Sequence, residues 1–179
     1  MSAADSSRHS WRRRRRPAWA DRYPFDRARR SFYLHGADDG PMPSGPPVLA
    51  YGANASPEAL ANKLPGARVA ALAGRLRDWR VVHSAHVSPY GAVPATLVHE
   101  PGAEADVHVL LLEEGRARLD ASEPNYRCVT LHGLDLDVDV LGRVKSVEAY
   151  VSRHGALVLD GAPVPLGARP QDELRAALA

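Results

Sequence analysis

The chain has 179 residues, of which 25% are charged, and a formal net charge of +2. This length suits one domain with a hydrophobic core, and no apolar run approaches the roughly 18 residues that a membrane-spanning helix needs. The single cysteine, Cys128, excludes an internal disulfide and a multi-cysteine metal site. No apolar segment of the secretory type follows the early arginines, so we expect a cytoplasmic protein.

The positive charge is concentrated near the N-terminus. Residues 1–46 contain ten arginines and five aspartates, whereas residues 47–179 hold 13 basic and 16 acidic side chains. A slightly acidic body is not typical of a nucleic-acid-binding domain, so only the arginines of residues 8–30 suit such a partner. Only two residues are lysines, a bias towards arginine that is typical of a GC-rich bacterial genome.

Residues 1–46 have neither helical nor strand periodicity, and residues 36–47 are rich in glycine, proline and aspartate. We predict a disordered, arginine-rich tail and linker over 1–46 and a single domain over 47–179. Two alternatives remain for the tail. The run Arg12–Arg16 would attract phosphate or an acidic surface, or Met42 is the true start of the protein.

The predicted domain begins with a short apolar run, residues 48–51, that suits a buried strand. A helix is predicted next, because Ser56 is a good N-cap, Pro57 suits the first helical position, and Glu58 suits the positive end of the helix dipole. Pro65 and Gly66 end this helix after about two turns.

Strand patterns dominate the remaining residues, with short helices predicted over 113–122 and 170–178. The predicted strands cover 67–76, 79–86, 93–99, 107–112, 126–131, 134–141, 144–152, 156–159 and 163–166. Many short strands without a βαβ rhythm predict an α+β, mainly-β fold, a small antiparallel barrel or open sandwich with two or three short helices. The glycine spacing of a dinucleotide-binding fold is absent.

The first candidate site is the turn Tyr51-Gly52-Ala53-Asn54-Ala55 between the first strand and the first helix. Gly and Asn tolerate positive φ, so we expect the turn to point backbone N–H groups inward, where they suit a carboxylate or an oxyanion. The alternative is a strand-to-helix turn without function.

The second candidate is Glu123, at a predicted helix-to-strand boundary where Pro124 forces extended backbone. A carboxylate held there among apolar neighbours would have a raised pKa and act as general acid and base. The alternative is an ordinary exposed glutamate in a loop.

Other polar clusters suit structural roles. His83 and His86 would point to opposite faces of a strand, so we predict no metal site. Cys128 has the pattern of a small buried residue rather than a nucleophile. Asp135, Asp137 and Asp139 alternate along one strand, which indicates a solvent-facing side.

Together, the two candidate motifs resemble those of the γ-glutamylcyclotransferase-like family, over about residues 48–151. That family's loop usually reads Tyr-Gly-Ser-Asn-Leu, and here Ala53 replaces the serine. Its acidic motif places Leu-Asp before the catalytic glutamate and Tyr-Arg beyond it, which matches Leu119-Asp120, Glu123 and Tyr126-Arg127. The segment after Glu123 is shorter than the family often has.

The resemblance implies cleavage of a γ-glutamyl amide, with release of 5-oxoproline and an amine or amino acid. Glu123 would be the general acid and base, and Tyr51, Gly52, Ala53, Asn54 and Tyr126 would bind the small-molecule substrate. No cofactor or metal is implied. The alternatives are a non-catalytic relative that binds a small ligand and a protein that binds nucleic acid through its arginine tail.

Overall fold

The structure, a computed structural model, describes residues 18–179. The described chain contains eight strands and three α-helices. The strands are β1 (Phe32–Leu34), β2 (Val48–Ala50), β3 (Val69–His83), β4 (Ala95–Leu112), β5 (Tyr126–Val138), β6 (Gly142–Ser152), β7 (Val158–Leu159) and β8 (Ala162–Pro163). The helices are α1 (Pro57–Lys63), α2 (Arg116–Ala121) and α3 (Gln171–Ala177), with short 3-10 helices at Ala18–Arg22 and Ala53–Ala55.

Five strands form a closed barrel in the order β3-β4-β2-β6-β5, which closes where β5 pairs with β3. Leu49, Leu72, Val109, Leu136 and Ala149 belong to the apolar core of this barrel and are almost fully buried. The predicted mainly-β barrel with short helices is therefore confirmed. It is not entirely antiparallel, because β2 runs parallel to β6. No tight turn joins these two strands, so their relative direction is not restricted to antiparallel.

Several predicted strand pairs are in fact single, bent strands. The predicted strands 67–76 and 79–86 form β3, whose pairing with β4 shifts register between Arg77 and Trp79. Asp78 has φ +64° at this irregularity, and its Oδ1 accepts a 2.8 Å hydrogen bond from the N–H of Gly102 on β4. The polar and glycine residues that predicted turns are thus at a β-bulge, where a strand bends without ending.

The described part of residues 1–46 is not a disordered tail. Tyr23 is 6% exposed in the barrel core, and its hydroxyl accepts a 3.0 Å hydrogen bond from the N–H of Ala95. Strand β1 pairs with β3, and Ser31 accepts a 2.9 Å hydrogen bond from the N–H of Ala73. The prediction was wrong for residues 18–46 because their side chains contact the barrel one by one, which produces no sequence period. The run Arg12–Arg16 lies outside the described residues.

Helix α1 begins as predicted, with Pro57 in its first turn and the Ser56 hydroxyl 3.5 Å from the N–H of Ala59.

The prediction that Cys128 is buried was wrong, because it lies on the outer face of β5 with Arg116 Nη2 3.2 Å from its sulfur. Among residues 18–179, no helix combines the length and apolarity needed to span a membrane.

Candidate active site

A cavity of about 760 Å³ opens between four parts of the chain: the loop after β2, helix α1, residues 121–126 at the end of α2, and residues 22–26 of the N-terminal segment. All six residues singled out from the sequence line it: Tyr51, Gly52, Ala53, Asn54, Glu123 and Tyr126. The two sequence motifs, about seventy positions apart, therefore meet at one site. A cavity of this size accommodates a small metabolite.

Glu123 follows the end of α2 in a tight turn. Its N–H donates to the carbonyl of Asp120, and its own carbonyl accepts from the N–H of Tyr126, 3.0 Å away. The side chain is only 10% exposed. The alternative of an ordinary exposed loop glutamate is therefore wrong.

The Glu123 carboxylate is held by two side chains that also bind each other. Its Oε1 accepts hydrogen bonds from Asn54 Nδ2 at 3.0 Å and from Lys63 Nζ at 2.6 Å, and Lys63 Nζ also donates to Asn54 Oδ1 at 2.8 Å. Oε2 accepts no hydrogen bond from residues 18–179. The carboxylate is thus oriented through one oxygen, while the other remains available to a ligand.

Lys63 is a site residue that the sequence analysis missed. It is the last residue of α1, and its side chain is 21% exposed and forms an ion pair with Glu123. The one available signal was composition, since Lys63 is one of two lysines in a chain with 21 arginines. No motif connects it to Glu123, because the two are 60 positions apart and meet only through the fold.

The loop after β2 differs from the expected geometry. Gly52 has φ −120°, and the loop is a 3-10 helix rather than a left-handed turn. Gly52 is required for close packing instead, because a Cβ there would lie 3.0 Å from both Ala95 Cβ and the Tyr23 hydroxyl. The N–H groups of Ala53 and Asn54 begin the 3-10 helix and have no partner within it.

The two site tyrosines are fixed by hydrogen bonds to the backbone. The Tyr51 hydroxyl donates to the carbonyl of Tyr150, and the Tyr126 hydroxyl donates to the carbonyl of Ala95 at 2.8 Å. Burial raises the pKa of both phenols well above the usual range. Both therefore stay protonated at physiological pH and serve as walls rather than proton acceptors.

His86 also lines the cavity and is 9% exposed. Its Nδ1 is 2.8 Å from the Ser84 hydroxyl, its ring stacks on His154 at 4.5 Å, and its Nε2 has no partner within residues 18–179. Burial, with a smaller contribution from His154, lowers the pKa of His86 to about 4. It is therefore a neutral group near pH 7.

His83 is separate from this site. Its Nδ1 is 2.9 Å from the Val93 carbonyl and its Nε2 accepts from the N–H of Gly167, so both ring nitrogens bind backbone groups. In the described part of the chain, no three potential metal-ligating side chains from His, Cys, Asp and Glu are grouped together.

The fold and the site define a mainly-β barrel protein with a small-molecule cavity and a carboxylate in its wall. No protein-family model matches the chain, and no curated protein matches it. Three solved structures with a TM-score of 0.49 are similar. They are a γ-glutamyl cyclotransferase, an uncharacterized protein from Homo sapiens and an allophanate hydrolase from Kluyveromyces lactis.

The γ-glutamyl cyclotransferase is 19% identical and the human protein 20%, and both alignments cover 62% of this chain and 68% of the other. The allophanate hydrolase is 14% identical over 77% of this chain, which corresponds to 22% of the hydrolase. At these identities the similarity concerns the fold alone.

Proposed function

We propose that this protein is a bacterial, cytoplasmic enzyme that cleaves a γ-glutamyl amide by cyclisation, releasing 5-oxoproline and an amine. The observation that supports this most is the environment of Glu123. Its carboxylate is 10% exposed on the wall of the cavity, and Asn54 and Lys63 bind only its Oε1.

A γ-glutamyl amide carries its own nucleophile, because attack of its α-amine on the γ-carbonyl closes a five-membered ring. Holding the substrate folded converts the attack into an oriented intramolecular step, which can lower the barrier by about 7–11 kcal/mol. The main tasks of the protein are then to fold the substrate and to move protons from the α-amine to the departing nitrogen.

Glu123 would carry out the proton transfer. The α-amine is protonated at neutral pH, so Oε2 first takes a proton from it, and the neutral amine then forms the new C–N bond to the γ-carbon. As the old C–N bond breaks, Glu123 returns the proton to the departing nitrogen. The ring nitrogen still carries two hydrogens and a positive charge, and it loses its second proton to the released amine, which leaves as an ammonium ion. The exchange balances without a cofactor, metal or covalent intermediate.

The α-amino-acid group of the substrate is a zwitterion, and the site offers the complementary charges side by side. Lys63 would attract the α-carboxylate while Glu123 faces the α-ammonium group. The N–H groups of Ala53 and Asn54 are available to the carboxylate or to the oxyanion that forms at the γ-carbonyl. Tyr51 and Tyr126 provide walls that restrict the folded substrate.

The test is 5-oxoproline release by the full chain from a panel of γ-glutamyl compounds, with Glu123→Gln alongside. Gln keeps the shape but cannot exchange the proton, so we expect kcat to fall by about 10²–10⁴-fold. Glu114→Gln, an exposed carboxylate away from the cavity, is the matched control and should keep full activity. Thermal unfolding must show that both variants are folded. Absence of 5-oxoproline from every compound, in folded protein, would reject the proposal.

The alternative is a non-catalytic relative that binds a γ-glutamyl ligand in the same cavity. The 2.6 Å ion pair favours it, because Lys63 already neutralises the carboxylate that catalysis requires. Calorimetric binding of the panel without 5-oxoproline release would support this alternative. Nucleic-acid binding through residues 8–30 stays a prediction.

A further inference from the structure

The cavity wall beyond Glu123 is unusually aromatic. Five of the six tyrosines in the chain line this one cavity, and Phe25 lines it as well. The five are Tyr23, Tyr51, Tyr90, Tyr126 and Tyr150. This concentration indicates a surface for a ligand group that extends past the γ-glutamyl amide.

The hydroxyls of four of these tyrosines are already bound to the protein. Ala95 binds two of them, donating its N–H to Tyr23 and accepting from Tyr126 at its carbonyl. Tyr51 donates to the carbonyl of Tyr150, whose own hydroxyl donates to Asp120. What these residues leave to a ligand is therefore ring surface rather than a free hydroxyl. Tyr126 supplies more of it than Tyr23, Tyr51 and Tyr150, which are only 5–6% exposed.

Several of these side chains contact one another or share a backbone partner. Phe25 and Tyr23 meet edge-to-face at 5.2 Å, and Tyr23 is linked to Tyr126 through Ala95. On the other side, His86 meets Tyr126 at 5.9 Å. An aromatic group placed against this wall would contact several rings, with edge-to-face and offset-stacked geometries available.

The charges around the cavity do not favour a second carboxylate. Among the described lining residues, the cations are Arg22 and Lys63, and the carboxylates are Asp26, Glu58 and Glu123. Lys63 is already shared by Glu123 and, in the proposed function, by the substrate's α-carboxylate. His86 adds no positive charge near pH 7, because burial keeps it neutral.

We infer that the group joined to the γ-glutamyl unit is an amine that carries an aromatic ring and no carboxylate, rather than an amino acid or peptide. The inference rests on the proposed function and narrows its substrate class. It follows from the aromatic wall and the excess of carboxylates around the same cavity.

The test compares kcat/KM for 5-oxoproline release from γ-glutamyl-benzylamide, γ-glutamyl-ethylamide and γ-glutamyl-phenylglycine. We expect the benzylamide to exceed the ethylamide at least about tenfold, since a buried phenyl ring gains at least that factor. The phenylglycine compound differs from the benzylamide only by an added carboxylate, so we expect its kcat/KM to fall below that of the benzylamide. Equal values for benzylamide and ethylamide would overturn the inference while the proposed function stands.

A binding measurement separates the two proposals. Glu123→Gln, whose turnover we expect to be about 10²–10⁴-fold slower, should bind the benzylamide at least about tenfold more tightly than the ethylamide by calorimetry. Tighter benzylamide binding with no 5-oxoproline from the wild-type protein would reject the enzyme and keep the aromatic preference of the cavity. Equal binding of the two amides would reject the aromatic preference.

A pair of phenylalanine variants tests the wall itself. Phe25→Ala should lower the benzylamide-to-ethylamide ratio of kcat/KM at least about fivefold, and Phe25→Leu should lower it less. Phe32→Ala, on the outer strand β1 and away from the cavity, should leave the ratio unchanged. Both kcat/KM values in each ratio are measured on the same variant, so a loss of folded protein lowers both equally and does not change their ratio. An unchanged ratio in Phe25→Ala would overturn the role of this wall.

Discussion

At the scale of single residues, the site depends on a partly buried ion pair whose members depend on each other. Glu123 and Lys63 are 10% and 21% exposed, so each has lost most of its contact with water. Such an ion pair adds little to the free energy of unfolding compared with two apolar side chains in its place. Removal of one partner, however, leaves an uncompensated charge in a partly buried position. Asn54 alone, with one neutral hydrogen bond, does not replace the ammonium group.

Lys63→Met should therefore lower the free energy of unfolding by about 1–3 kcal/mol, measured in urea. The double variant Lys63→Met, Glu123→Gln should recover much of this loss, because the isolated carboxylate is then gone. Lys145→Met, at the other lysine of the chain, is the matched control and should change little. Additive losses in the double variant would contradict a coupled pair.

At the scale of elements, the N-terminal segment is part of the barrel and supplies a wall of the cavity. The Tyr23 hydroxyl is the partner of the buried N–H of Ala95, at the first residue of β4. Its removal would leave a buried backbone donor unsatisfied, which is among the more costly losses in a core.

Tyr23→Phe should lower the free energy of unfolding by about 1–3 kcal/mol, because the ring still fills its place but the hydrogen bond is lost. Tyr33→Phe is the matched control, since Tyr33 is 37% exposed and lies on the same segment. Denaturant unfolding of both variants measures the difference. Equal stability of the two variants would mean that the segment does not stabilise the barrel through Tyr23.

Another element-scale feature is the closure of the barrel at Gly74, where β3 meets β5. A Cβ at this position would lie 2.9 Å from the carbonyl oxygen of Asp137, a backbone atom that cannot move without the strand. Glycine therefore permits the two strands to approach closely enough to pair.

Gly74→Ala should accelerate amide hydrogen exchange in residues 136–138, because the added methyl group separates β3 from β5. We expect a loss of stability of about 1–3 kcal/mol. Gly102→Ala is the comparison, since it also strains a glycine, at φ +80°, but has open space around its Cβ. It should destabilise the protein without selective exchange at 136–138. Identical exchange in both variants would contradict a closure role for Gly74.

At the scale of the whole molecule, three buried histidines connect stability to pH. Burial is the main reason that the pKa values of His83, His86 and His108 are lowered. The pKa of His86 is lowered to about 4. In the unfolded chain these groups titrate near 6.5, so between pH 6.5 and about 4 the unfolded state binds more protons than the folded state. Stability is then highest above pH 6.5 and falls as the pH decreases through this window.

We expect the free energy of unfolding to decrease clearly between pH 7.5 and pH 4.5, measured in urea at constant ionic strength. His86 alone would contribute up to about 3 kcal/mol of this loss, from a pKa difference between 6.5 and about 4. His86→Gln should therefore have a shallower pH dependence, whereas His132→Gln, on an exposed histidine, should keep the wild-type slope. A wild-type slope in His86→Gln would contradict a neutral, buried His86.

Much of this protein was determined by local sequence pattern. The start of α1 at Ser56 and Pro57 and the predominance of strands follow from backbone preferences of individual residues, which act over a few positions. The two motifs around Asn54 and Glu123 were recognised separately for the same reason. Their meeting was implied only by a family resemblance.

Tertiary structure alone decided the rest. Lys63 reached Glu123 because the barrel brings the end of α1 to the end of α2, and Tyr23 entered the core because β4 offers it a backbone N–H. The bulge at Asp78 joined two predicted strands because a continuous partner strand opposes it. Each of these outcomes depends on contacts between residues far apart in the chain, and such contacts leave no period or spacing in a single sequence.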